Sequence, residues 1–101
     1  MVFIYTTCRD IAAAKRLGKL ILEKRLAACV NISPIESMYI WDGKLVEDIE
    51  ASLLIKTNES KVGDIEALVA KNHTNITPFV GVLDLRRINR EYKEWASKTI
   101  Q

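Results

Sequence analysis

Cysteine, histidine and proline are scarce in this chain of 101 residues, which has two cysteines, one histidine and two prolines. Cys8 and Cys29 are far apart, so no paired-cysteine motif indicates a structural metal or a disulfide framework. Free thiols are typical of a reducing compartment, and we expect a cytoplasmic protein. No apolar run approaches the roughly 18 residues of a membrane span, and no secretory signal pattern is recognisable. We therefore expect no membrane partner.

An excess of charge of either sign is also lacking. The chain has 15 basic and 13 acidic residues, a formal net charge of +2. This balance is too even to indicate a nucleic-acid partner or an anionic membrane surface. Arg86, Arg87 and Arg90 form the only dense basic cluster, which we interpret as a solvated edge rather than a phosphate-binding site.

The motifs of common catalytic sites are missing as well. There is no glycine-rich phosphate loop, no nucleophile elbow and no paired metal-ligand motif on a helix. The basic, aromatic-rich signature of RNA-binding sheets is absent. A pair formed by Cys8 and His73 is the one candidate for an activated thiolate. The sequence therefore favours a protein that is not an enzyme.

The hydrophobic pattern predicts one domain over residues 1–101 with the element order βαββαβ and an added C-terminal helix. This order is typical of an α+β, ferredoxin-like sandwich with a long hairpin between the second and third strands. Asn58 or Ser60 is expected to cap the second helix, and Asn89 the last one. The predicted strands cover residues 2–7, 28–41, 44–57 and 77–85; the predicted helices cover residues 10–25, about 60–72 and a short segment after 89.

The hairpin is the most unusual predicted element. Asp42-Gly43 between two strand-like runs predicts a tight two-residue turn, because that turn needs positive φ at both positions. Each run would extend about 45 Å, whereas a domain of this size has a radius of gyration of about 13 Å. The hairpin must therefore project, with Tyr39 and Trp41 at its tip. Exposed aromatic side chains on a projecting hairpin favour aggregation unless another surface packs on them, and a second copy of the chain is the simplest candidate for that surface.

Strand alternation assigns the hairpin residues to two faces. Counting outward from the turn pairs Ile40 with Leu45 and Ile32 with Leu53, on the face that we expect the helices to cover. We also expect Pro34 to introduce a bulge or break. The opposite face should carry a thiol, two aromatics and several polar groups, namely Cys29, Asn31, Ser37, Tyr39, Trp41, Lys44, Asp48, Glu50, Leu54 and Lys56.

Six stretches of the chain, taken in order and at their spacing, form a specific pattern. They are Tyr5-Thr6-Thr7, the run Glu-Lys-Arg-Leu-Ala-Ala-Cys-Val-Asn at 23–31, Tyr39-Ile40-Trp41-Asp42-Gly43-Lys44, residues 50–57, His73 with Pro78, and Tyr92 with Trp95. This pattern resembles the CutA family of divalent-cation-tolerance proteins over nearly the whole chain. The chain departs from the family's His-Pro-Tyr before the last strand, since it reads His73-Thr74-Asn75-Ile76-Thr77-Pro78.

The resemblance implies a ferredoxin-like homotrimer, similar in architecture to the nitrogen-regulatory PII proteins, in which the long hairpin pairs with a neighbouring subunit. It also implies a link to tolerance of copper and other divalent metals. Tyr39 and Trp41 are then expected to anchor the interface. Tyr92 and Trp95 are expected to pin the last helix to the sheet or to a neighbour.

Cys8, Cys29 and His73 are the main candidate metal ligands, since thiolate and imidazole suit copper or zinc. We expect Cys8 and His73 at one rim of the sheet and Cys29 at the opposite rim, so a site would need a further ligand from a neighbour. The alternative is that Cys29 is a packing residue and Cys8 a loop thiol. Glu50, with Asp42, Glu47 and Asp48, could hold a hard cation, or simply place charge on a long hairpin.

Two functional hypotheses follow. The first is a non-enzymatic, cytoplasmic homotrimer that binds divalent metal ions weakly at subunit clefts, copper foremost, with no organic cofactor. The second is a PII-like regulatory sensor that binds a small anion or a partner protein in the intersubunit cleft. In the second hypothesis Lys44, Lys56, Asn31 and Arg25 would line the cleft.

Overall fold

The computed structural model describes residues 1–73 and 77–101. It contains four strands, three α-helices and one 3₁₀ turn. No helix in these two ranges is long and apolar enough to cross a membrane. In chain order the elements are β1 (Val2–Cys8), α1 (Ile11–Glu23), β2 (Cys29–Trp41), β3 (Lys44–Thr57), the 3₁₀ turn Glu59–Lys61, α2 (Val62–Asn72), β4 (Val80–Asp84) and α3 (Arg90–Thr99).

The strands form one antiparallel sheet in the order β2-β3-β1-β4. This is the predicted ferredoxin-like α+β topology, in which the two sequence-adjacent strands β2 and β3 lie to one side of β1. Strand β3 is central, because it pairs with β2 along its whole length and with β1 from Ala51 to Thr57. Beyond Ala51 it has only β2 as a neighbour. We call this two-stranded part, residues 35–50, the arm.

The arm turns at Asp42 and Gly43, which have φ values of 50° and 73°. Both values lie in the left-handed region, as the predicted turn requires. The register continues from Trp41–Lys44 to Cys29–Lys56 without a bulge, so the bulge predicted at Pro34 is wrong. Strand β2 lies at the edge of the sheet, where a residue without an N–H can be accommodated on the unpaired side. The longest dimension of the chain is 47 Å.

The main core lies between the sheet and helices α1 and α2. Ile4, Leu53 and Ile55 from the two central strands are fully buried against Ile21 of α1 and Ile65 of α2. Gly18 allows α1 to approach the sheet closely, because a Cβ at this position would lie 3.0 Å from Val30 Cγ2. The core is therefore confined to the part of the sheet beside β1.

The arm extends past both covering helices. The predicted pairs Ile40–Leu45 and Ile32–Leu53 are confirmed, but the expectation that helices cover this whole face is wrong. Met38, Ile40, Leu45 and Ile49 are 61–72% exposed. The reason is length, since a helix of 13 residues such as α1 spans only about 20 Å. A strand of the same number of residues is more than twice as long.

Helix α3 covers the base of the other sheet face. Ala28, Ala96 and Ile100 form a second small buried cluster, against which Met1 and Tyr92 pack. Asn89 precedes this helix as predicted, although its side chain makes no capping hydrogen bond. The same is true of Asn58, which precedes the 3₁₀ turn rather than α2 itself. Strand β4 is shorter than the predicted segment 77–85, because β1 offers it partners only from Val2 to Thr6.

Two buried threonines give a matched test of hydrogen bonding in this core. Thr6 and Thr57 are both fully buried. Thr57 Oγ1 donates to the Leu26 carbonyl at 2.6 Å, whereas Thr6 Oγ1 has no partner among the described residues. We expect Thr6→Val to raise the free energy of unfolding by about 1 kcal/mol and Thr57→Val to lower it by about 1–2 kcal/mol. Urea unfolding of both variants at one protein concentration measures this. Equal shifts of the same sign would contradict it.

Candidate functional site

A cleft of about 380 Å³ lies at the rim where β1 ends. Its walls are the residues that follow β1, one face of α1 and the end of α2. Cys8 and His73 both line it, so the structure brings these two candidates to the same rim, as the sequence predicts. The segment 74–76, in which the chain departs from the family's His-Pro-Tyr, lies outside the described residues.

Cys8 is the last residue of β1, and only 3% of it is exposed. Burial raises the pKa of the Cys8 thiol, and the negative charges of Asp10 and Glu50 raise it further. Asp10 is held in place because its Oδ1 accepts a hydrogen bond from Ala13 N at 2.7 Å and caps α1. The thiol is therefore protonated at neutral pH. It is not the activated thiolate that nucleophilic catalysis needs.

His73 directly follows α2, and its Nε2 lies 2.5 Å from the Thr7 carbonyl oxygen. A carbonyl oxygen only accepts, so Nε2 carries the proton in this contact. Coordination of a metal in this geometry would have to use Nδ1. The hydrogen bond ties the end of α2 to the end of β1, and it orients the ring at the rim of the cleft.

Cys29 lies away from this rim, at the start of β2. It pairs with Lys56, whereas Cys8 pairs with Ala51. These partners are five positions apart on β3, which corresponds to roughly 17 Å. The structure therefore keeps Cys29 apart from Cys8 and His73 within one chain, as predicted.

Cys29 instead neighbours the side chains of Lys56 and Tyr92. Lys56 Nζ lies 5.6 Å from the centre of the Tyr92 ring. Burial, followed by the adjacent Cys29 thiol, raises the pKa of Tyr92. The Tyr92 hydroxyl is buried and has no hydrogen-bond partner among residues 1–73 and 77–101. Tyr92 also stacks at a tilt on Trp95, with ring centres 5.4 Å apart, and Trp95 remains 50% exposed.

The carboxylates of the arm do not converge on one point. Glu47 and Glu50 lie on opposite faces of β3, since they are three positions apart. The described part of the chain contains no group of three His, Cys, Asp or Glu side chains arranged to hold a metal ion. The arm is nevertheless acidic. It contains five of the 13 acidic residues but one of the 15 basic ones, which leaves net charges of −4 on the arm and +6 on the rest.

The tip of the arm is exposed on both faces. Tyr39 is 42% exposed and Trp41 56% exposed on one face, and Ile40 is 65% exposed on the other. Lys44 is at the tip, whereas Lys56 and Asn31 are near the base. Lys44 and Lys56 are twelve positions apart on one strand, or about 40 Å. They cannot contact the same small ligand within one chain.

Sequence reasoning missed the basic lining of the rim cleft. Arg9, Arg16 and Lys19 all border it. The available signal was helical spacing, because Arg16 and Lys19 share a face of α1 with Leu20. In contrast, the cluster formed by Arg86, Arg87 and Arg90 is exposed, and Arg90 makes a weak contact of 3.7 Å with Glu94. This agrees with a solvated edge.

Comparison with known proteins identifies the family. The family profile described as CutA1 divalent ion tolerance protein matches residues 2–99. The protein named divalent-cation tolerance protein CutA from Archaeoglobus fulgidus is 35% identical over 99 residues, covering 98% of this chain and 97% of that protein. Protein CutA 1, chloroplastic, from Oryza sativa is 42% identical over 95 residues, covering 93% of this chain and 54% of that protein.

The fold agrees with this assignment. The solved structure described as the periplasmic divalent cation tolerance protein CutA from Archaeoglobus fulgidus superimposes with a TM-score of 0.96 at 35% identity, with complete coverage of both chains. The match in sequence therefore extends to the topology and to the long hairpin. The chain belongs to the CutA family of divalent-cation tolerance proteins.

Proposed function

We propose that this protein acts in divalent-cation tolerance as a non-enzymatic homotrimer that binds divalent metal ions weakly at subunit clefts. Copper is the preferred metal, because thiolate and imidazole ligands suit it and its complexes are the most stable of the first-row divalent series. The observation that carries the proposal is the common position of Cys8 and His73 at one rim, with the Asp10 and Glu50 carboxylates acting on Cys8.

The same residues explain why binding is weak. The Cys8 thiol must lose its proton before it can coordinate, and its raised pKa makes this loss more costly. Arg9, Arg16 and Lys19 border the cleft and repel a bare cation. Because the described residues of one chain offer no complete ligand set, a neighbouring subunit supplies the further ligand in this proposal. Glu50 of the same chain, whose charge acts on Cys8, is a candidate oxygen ligand beside it.

Assembly into a trimer is supported by the arm. Its apolar side chains are exposed on both faces, and isolated two-stranded ribbons are marginally stable in water. If another copy of the chain packs on the arm, the apolar side chains are buried and the two-stranded ribbon is stabilised. In this proposal Tyr39 and Trp41 anchor the contact, and Trp95 adds to it from α3.

The metal proposal is tested by titrating Cu(II) and Zn(II) into the purified protein at several pH values. We expect Cu(II) to bind more tightly than Zn(II), with affinity rising with pH. At pH values below the raised pKa of Cys8, metal binding releases one proton from the thiol. This proton can therefore make the affinity rise by at most about tenfold for each pH unit. Calorimetry in two buffers of different ionisation enthalpy measures the released proton.

Cys29→Ala is the matched control for Cys8→Ala, since the structure separates the two thiols. We expect Cys8→Ala to abolish the released proton and to weaken Cu(II) binding, and Cys29→Ala to change neither. If the double variant Cys8→Ala/His73→Ala keeps the affinity of the wild type, the assignment of these two ligands is wrong.

The second candidate, a sensor of a small anion formed by Lys44, Lys56 and Asn31, has less support. Lys44 and Lys56 lie at opposite ends of β3, so only a cleft between subunits could join them. Location in the cytoplasm is also a proposal, which depends on the two free thiols. One relative is described as periplasmic and another as chloroplastic.

A further inference from the structure

The rim cleft has a basic border and an apolar floor. Ala13, Leu17 and Leu20 follow one another at helical spacing on α1 and form the floor. Arg9 lies beyond the N-terminus of this helix, and Arg16 flanks the floor. Lys19 completes the border, and Glu23 is the one acidic residue among the described lining residues. A cleft of this kind presents three cations to a ligand whose remaining surface can be apolar.

The cations of the border are poorly neutralised by the protein itself. Neither Arg16 nor Lys19 forms an ion pair with any residue in the described ranges. Lys19 and Glu23 are four positions apart on a helix, yet they are not paired. Arg9 Nε lies 3.7 Å from Asp10 Oδ2, a long and exposed contact that contributes little. Bringing like charges together is unfavourable unless an anion lies between them.

We propose that this cleft binds a small organic phosphate, with the phosphate between Arg9, Arg16 and Lys19 and the organic part on Ala13, Leu17 and Leu20. The planar guanidinium group of arginine can donate two parallel hydrogen bonds to phosphate oxygens, and the ammonium group of lysine adds a compact positive charge. A volume of about 380 Å³ is at the small end of the range for ligand sites, which extends from about 300 to 1,000 Å³. The apolar floor explains why an organic phosphate fits better than the inorganic ion.

This proposal shares the rim cleft with the proposed metal ligands Cys8 and His73, but it uses other side chains and does not rest on metal binding or on the intersubunit anion cleft. None of the three cations is a candidate metal ligand. All six side chains that the proposal uses belong to one chain. Binding studies in metal-free buffer therefore address this proposal alone.

The test compares phenyl phosphate with inorganic phosphate as probes, using backbone amide shifts in a ¹H–¹⁵N spectrum. We expect saturable binding of phenyl phosphate, tighter than that of inorganic phosphate, with shifts centred on Ala13, Arg16, Lys19 and Leu20. The double variant Arg16→Gln/Lys19→Gln should weaken phenyl phosphate binding about tenfold or more. Both residues are exposed on a helix, and glutamine is a good helix former, so the variant should fold.

Lys15→Gln/Lys98→Gln is the matched control, because it removes the same charge from exposed helix positions outside the cleft. We expect this control to bind phenyl phosphate as the wild type does. Equal losses in both double variants would show a general charge effect and would overturn the proposal. So would the absence of saturable binding, or shifts centred away from α1.

Discussion

The double variant Ile40→Asp/Trp41→Ala is expected to lose its assembly and to sediment as a single folded chain at micromolar concentration. Ile40 is 65% exposed and Trp41 56% exposed, on opposite faces of the arm tip. A buried aromatic anchor of an interface contributes roughly 2–4 kcal/mol, and an unpaired aspartate in its place opposes association. Because three arms are altered in each trimer, the losses act together. Sedimentation velocity with circular dichroism measures both mass and fold.

The conservative variant Ile40→Val/Trp41→Phe is the control for this prediction. It keeps apolar groups at both positions of the tip, so we expect it to assemble with little loss. If Ile40→Asp/Trp41→Ala instead keeps the mass of the wild type, the tip does not anchor the assembly.

The second large effect is expected at Leu53, which can be compared with Leu45 on the same face of β3. Leu53 is fully buried beside Gly18 and Val30, whereas Leu45 is 61% exposed on the arm. Leu53→Ala removes buried groups and leaves a cavity, so we expect it to lower the free energy of unfolding by about 3–5 kcal/mol. Urea unfolding monitored by circular dichroism measures this loss.

Leu45→Ala should act on assembly rather than on the fold of the chain. In the monomeric Ile40→Asp/Trp41→Ala background we expect it to change the free energy of unfolding by less than about 1 kcal/mol. In the otherwise wild-type protein it should weaken association. A loss of unfolding free energy as large as that of Leu53→Ala would mean that the chain covers its own arm.

Much of the fold follows from the sequence. The turn at Asp42-Gly43 and the pairing of β2 with β3 were predictable, because turn chemistry and strand alternation are local properties. The alternation of apolar residues does not show how much of the hairpin the helices cover. Ile40 and Leu53 are both apolar and lie on the same face, yet only Leu53 is buried. Helix length decides it. The bulge expected at Pro34 is wrong because the cost of a proline depends on whether β2 is an edge strand, which is a property of the whole sheet.

The candidate site was predictable in part. The position of Cys8 and His73 at one rim follows from the topology, as does the separation of Cys29 from them. The hydrogen bond from His73 to Thr7 and the basic border of the cleft were not predicted, because they depend on how α1 and α2 approach the end of β1. The distance between Lys44 and Lys56 could have been foreseen, since both are on one strand and the register fixes it.

The acidic arm and the basic remainder also bear on metal tolerance. A net charge of −4 on the arm attracts divalent cations, whereas +6 on the rest repels them. In a trimer, an arm that lies across a neighbour brings carboxylates such as Glu50 towards that neighbour's basic surface. In the proposed trimer this arrangement would offset like-charge repulsion within each part.

We propose that another copy of the chain covers the arm and that a divalent metal binds only where copies meet. Light scattering of the wild-type protein at micromolar concentration, in metal-free buffer, tests the first half most directly, and the second half depends on it. We expect a molar mass of three chains. A molar mass of one chain, with Trp41 exposed in solution, would contradict it.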